Sequence, residues 1–123
     1  MQTPISWFSI PVADFERAVR FYETVMNCTL NRQEMEGRRM GMFPGDMDAP
    51  GGAVCEAEYS NPPGPMGSIV FLDGGDDLGT PLSRVEAAGG SVLAPKTLIA
   101  EDIGYFAIFR DSEGNHVGLY SKH

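Results

Sequence analysis

Ile5 to Val12 (ISWFSIPV) alternates and is rich in β-forming residues, which predicts a strand. Asp14 can cap a helix. Phe15, Ala18, Val19, Tyr22, Val25 and Met26 then recur at spacings of three and four, one apolar stripe on an amphipathic helix from about Phe15 to Met26. Thr29–Met35 and Arg38–Phe43 read as two strands joined at Glu36-Gly37, and Ala53–Tyr59 as a fourth. Residues 61–66 (NPPGPM) cannot continue either kind of element and read as a linker. Beyond it the order restarts. Ser68–Leu72 is a strand. Asp77 caps a second helix with apolar positions Leu78, Leu82, Val85 and Ala88, closed by Gly89-Gly90. Ser91–Ala94, Tyr105–Arg110 and His116–Ser121 are three more strands, the last two joined by the turn DSEGN.

The two halves repeat each other. DFERAVRFYE at Asp14–Glu23 lines up with DLGTPLSRVE at Asp77–Glu86, so that Asp14 matches Asp77, Val19 matches Leu82 and Tyr22 matches Val85. The expected fold is α+β: two βαβββ modules, residues 1–60 and 67–123, in one domain. One helix covers one side of each curved sheet and leaves the other concave. Two such sheets facing each other would enclose a cavity.

Composition narrows the function classes. The chain has 123 residues, enough for one domain, with 9 Lys and Arg against 17 Asp and Glu, a net charge of −8. That balance argues against nucleic acid and anionic membranes as partners. No stretch has the length of a spanning helix, and the first residues lack a secretory pattern. Cys28 and Cys55 have no zinc spacing and read as small core residues, both reduced, in a cytoplasmic protein.

IPVADFERAVRFYETVM together with GGSVLAPKTLIAEDIGYFAIFRDSEGNHVGLY resembles the vicinal oxygen chelate superfamily, which includes glyoxalase I, bleomycin-resistance proteins and extradiol dioxygenases. The resemblance covers nearly the whole chain. It implies paired βαβββ modules with mixed sheets, assembly as a homodimer, and ligand cavities built from sheet faces. Metal-dependent members hold one divalent ion with four side chains from four strands. The matching positions here are Trp7, Glu56, Ile69 or Val70, and Gly118. Of these only Glu56 can ligate, since an indole is a donor only. One carboxylate does not hold a catalytic ion. The expectation is therefore no metal and no cofactor. His116 and His123, the two histidines, read as a solvated strand-start residue and a frayed terminus.

Strand alternation suggests what lines the cavity instead. With Phe8 and Ile10 facing the helix, Trp7 and Ser9 face inward, as do Gly118 and Tyr120. Adding Glu56 and Phe71 gives a candidate ligand site of Trp7, Ser9, Glu56, Phe71, Gly118 and Tyr120. Aromatic faces with a carboxylate suit a flat or cationic organic molecule. The leading expectation is a metal-free binding protein of the drug-resistance type. The rival is a lyase or isomerase-type enzyme of the same superfamily with atypical or metal-independent chemistry and Glu56 as base. A third is a regulatory domain that senses a metabolite.

Overall fold

A computed structural model describes residues 3–56 and 61–123. In chain order the elements are β1 (Trp7–Val12), α1 (Phe15–Met26), β2 (Asn31–Met35), β3 (Arg38–Met42), β4 (Gly51–Glu56), β5 (Phe71–Asp73), α2 (Gly79–Leu82), β6 (Ser91–Ala100), β7 (Gly104–Arg110) and β8 (His116–Ser121). They form two mixed four-stranded sheets, β1-β4-β3-β2 and β5-β8-β7-β6. Both sheets have the same βαβββ order and the same arrangement, with a parallel first pair, β1 with β4 and β5 with β8.

The helix α1 has the predicted bounds because its signals agree. The Asp14 carboxylate accepts from the Arg17 N–H at the N-terminus, and Asn27 ends the helix in the left-handed region. Its apolar stripe is buried in full at Ala18, Val19, Tyr22 and Val25. The second helix departs from expectation. Only Gly79–Leu82 is regular α-helix. Beyond it Arg84 and Val85 bond to carbonyls three residues back, the tighter 3₁₀ pattern. Gly79 and Pro81 are poor helix residues, and Pro81 has no N–H to give. Asp77 does not cap α2 as a helix N-cap; its Oδ1 accepts from the Gly79 N–H two residues on and from Lys96. The stripe itself holds, with Leu78 and Val85 buried. Strand β6 runs six residues past the predicted Ala94, because three register irregularities let an edge strand pass Pro95 without its missing N–H being needed.

One hydrophobic core serves both halves. Ile10, Val12 and the buried face of α1 cluster with Leu72, Leu78, Val85, Phe109, Val117 and Leu119. The Phe21 ring packs edge-on against Tyr22 at 4.9 Å and tilted against Phe109 at 5.9 Å. A polar clasp from the β7–β8 turn completes the union. Asp111 accepts from the Tyr22 hydroxyl at 2.7 Å and from the Asn115 amide at 3.0 Å. The same amide donates to the Pro11 carbonyl at 2.8 Å, and the Asn115 carbonyl oxygen accepts from the Gly64 N–H at 2.9 Å. Burial and the neighbouring Asp111 carboxylate push the Tyr22 phenol well above its ordinary pKa, so it stays a donor.

Glu113 in this turn has a side chain 0% exposed and five hydrogen bonds. Its Oε1 accepts from the N–H groups of Ala13 and Asp14 at 2.9 and 2.8 Å, the start of α1. Its Oε2 accepts from Arg17 Nε at 2.7 Å. Burial pushes the Glu113 pKa up, but Arg17 and the N–H and hydroxyl donors outweigh it and hold the carboxyl at about 2.

Candidate functional site

Paired residues in a sheet share a face, so the register decides which side chains meet. In β1 the buried Ile10 and Val12 face α1. Their partners in β4 are Val54 and Glu56. Glu56 therefore lies on the helix side of the sheet, a correction to its expected place in the cavity. There it accepts from the Arg39 N–H at 2.8 Å and from the Arg39 guanidinium at 3.1 Å. These two bonds hold its pKa below the ordinary value. Arg39 in turn lies over the Phe15 ring of α1, 4.9 Å from its centre. The expected alternation of β4 holds, with its two faces the other way round. Both faces of β4 are buried at Ala53, Val54 and Cys55, so burial pattern alone gives no sign.

The opposite face of the first sheet carries Trp7, Ser9 and Pro11 from β1 with Gly51, Ala53 and Cys55 from β4. Met40 and Met42 of β3 stand opposite Cys55 and Ala53. The Ser9 hydroxyl oxygen accepts from the Cys55 thiol at 3.6 Å. In the second sheet Leu72 and Leu119 turn into the core, so Phe71, Gly118 and Tyr120 share the open face with Phe106 and Ile108. Val70 packs against the core and its carbonyl continues the ladder to the Gly118 N–H, which puts Ile69 on the open side with Phe71. Five of the six candidate residues thus stand on the faces away from the helices.

Two rings on these faces are laid over glycine. A Cβ at Gly51 would stand 3.3 Å from the Trp7 indole, and one at Gly118 would stand 2.3 Å from the Phe71 ring. Only glycine admits the Phe71 approach. Each ring rests on the strand parallel to its own and keeps a free face, being 46% exposed at Trp7 and 51% at Phe71. The rings belong to different sheets and do not touch each other. Tyr120 is committed, its hydroxyl donating to the Ile103 carbonyl in the β6–β7 turn. Where β1 approaches the start of β8, Ser9, Pro11, Met66, Ser68 and His116 line a shallow cleft of about 50 Å³. Sequence reasoning gave no signal for this cleft, because it forms between strands distant along the chain.

A family model, Glyoxalase/Bleomycin resistance protein/Dioxygenase superfamily, matches residues 5–119. The chain belongs to this superfamily. A glyoxylase-like domain-containing protein of Didymella fabae is 28% identical over 116 residues, spanning 90% of this chain and 88% of the relative. TnmS3, an antibiotic-binding protein from Streptomyces sp. CB03234, superposes with a TM-score of 0.71 at 26% identity, covering 98% of this chain and 97% of that one. Glyoxalase I from Zea mays shares the fold at 17% identity and a TM-score of 0.70, with 95% of this chain matching 45% of its length.

Metal-dependent members of the superfamily use side chains from four strands around one ion. Of the matching positions in this chain, Trp7, Ile69 and Gly118 stand on the open faces and Glu56 on the helix side, and the space a side chain at 118 would need is filled by the Phe71 ring. An indole, two positions without donor side chains and one carboxylate turned to the other face do not fit a divalent ion. Among the described residues no three of His, Cys, Asp and Glu come together in a group able to hold one. No described helix is long and apolar enough to cross a membrane.

Proposed function

We propose that this protein binds a small planar aromatic molecule on its concave faces, without a resident metal ion and without turning it over. Trp7, Ser9, Phe71, Gly118 and Tyr120 form the binding surface. The observation that carries the reading is the pair of half-exposed rings, Trp7 and Phe71, braced over glycines where a metal-dependent relative needs ligands. An aromatic ring held flat by its own strand pair offers stacking with little rotamer freedom to lose. The likeness to an antibiotic-binding protein over nearly the whole chain points the same way. The enzymatic rival needs Glu56 as base on the ligand face, and Glu56 is ion-paired to Arg39 on the other. A second copy of the chain covers apolar surface that one copy leaves exposed away from the two rings, at Met35, Leu93, Leu98 and Ile99.

Calorimetric titration of untagged protein with 2-naphthamide, a neutral planar probe, tests the reading. Saturable binding that weakens in Trp7→Ala supports it. Elemental analysis of the same preparation that finds about one Zn, Ni, Mn or Fe per chain overturns the metal-free part.

A further inference from the structure

We propose that the molecule bound on this surface carries a carboxylate, received by Arg110 and His116 at the seam between the two sheets. The inference rests on the reading above and adds the charge of the ligand. In the β7–β8 register Arg110 stands opposite His116, Ile108 opposite Gly118 and Phe106 opposite Tyr120, so all six share the face of Phe71. His116 lies two residues along β8 from Gly118, on which the Phe71 ring rests. At the rise of a strand that is about 7 Å, roughly the reach from an aromatic ring to an acid group attached to it.

The receiving end is rich in donors. His116 lines the cleft with Ser9 and Ser68. The Ser9 oxygen already accepts from the Cys55 thiol, and a hydroxyl keeps its own hydrogen to donate. About 50 Å³ admits a group of carboxylate size and leaves the aryl part outside on the rings. Arg110 does not line the cleft itself but stands opposite His116 on the neighbouring strand, and its exposed side chain adds a planar fork matched to carboxylate geometry. Its guanidinium lies beside Gly114 at the rim of the turn, and none of the ion pairs among the described residues involves it.

The acids nearby are already engaged. Asp111 accepts from Tyr22 and Asn115, and Glu113 from Arg17 and the start of α1. Asp73 shares the open face but pairs with Tyr120, four residues or about 13 Å along the strand from His116, and its Oδ1 accepts from the Gly75 N–H. A chain of net charge −8 thus presents an arginine, a histidine and two hydroxyl-bearing serines at this place. With Glu56 on the helix side, this stretch of the face offers a cation no free carboxylate.

Calorimetric titration of the untagged full-length protein at pH 7 with 2-naphthoate, 2-naphthamide and 2-naphthylmethylammonium decides the matter. The acid is expected to bind at least about tenfold more tightly than the amide, the scale of one hydrogen bond to a charged group. The double substitution Arg110→Gln with His116→Gln should abolish that preference for acid over amide, and Arg110→Lys should keep part of it. Equal affinity for acid and amide, tighter binding of the ammonium, or a preference that survives the double substitution overturns this inference and leaves the aromatic-binding reading standing. Absence of binding by all three overturns both.

Discussion

Replacing Glu113 with Gln removes one charge and keeps the shape, so it isolates what the carboxylate does for the fold. A carboxyl held at about 2 against an ordinary 4.5 corresponds to about 3 kcal/mol of stability at neutral pH. Arg17 is half exposed, and solvent screening brings the expected cost of Glu113→Gln to about 2 kcal/mol. The pH dependence has a definite sign. Because the folded-state value is depressed, the contribution is complete above about pH 4.5 and is lost as pH falls through the window down to about 2. Urea unfolding of both proteins at pH 7 and at pH 2.5 measures it. At pH 7 the variant should have the lower midpoint at an unchanged slope, and at pH 2.5 the two midpoints should converge. Other carboxyls titrate in the same window, but they are common to both proteins and cancel in the difference. Equal midpoints at pH 7, or a gap of the same size at both pH values, would refute the assignment of Glu113 as a charged clasp between the β7–β8 turn and α1.

Trp7→Ala should change the thermal midpoint little, by less than about 1 kcal/mol in stability, because the ring is half exposed; a buried aromatic would cost about 3–5 kcal/mol, and a loss of that size in the melt would make Trp7 a core residue. Gly118→Ala should destabilise by about 1 kcal/mol through its contact with Phe71, and should cost nothing in a Phe71→Ala background; additive effects in urea unfolding would contradict the ring-over-glycine packing. Sedimentation should find a dimer at micromolar concentration with a buried area above about 2,000 Å² in total, and a monomer would refute it.

The fold was legible where several local signals coincide. The Asp14 cap and the apolar stripe over residues 15–26 coincide, and the helix has those bounds. Strand β8 likewise runs from His116 to Ser121 as read. The stretch after Asp77 has the stripe without good helix formers, and there the periodicity named the buried residues but not the regular structure. For the site, the period of two correctly grouped Trp7 with Ser9 and Gly118 with Tyr120. It misplaced Glu56 because alternation fixes which residues go together, not which way they turn. That choice is made by pairing Glu56 with Val12 across a strand more than forty residues away. The ring-over-glycine contacts and the seam cleft depend on such distant pairings too, so neither leaves a local mark.

The clasp and the common core give the internal repeat a particular meaning. Phe21 and Tyr22 of the first half are buried against Phe109 of the second, and Asn115 ties Pro11 and Gly64 to the same turn. A half-chain made alone would expose those rings and leave Asp111 without Tyr22, and Glu113 without Arg17 and the start of α1. The repeat is thus one of topology and not of autonomy. The two βαβββ units should melt in a single cooperative transition, and separately expressed halves should gain stable structure only when mixed.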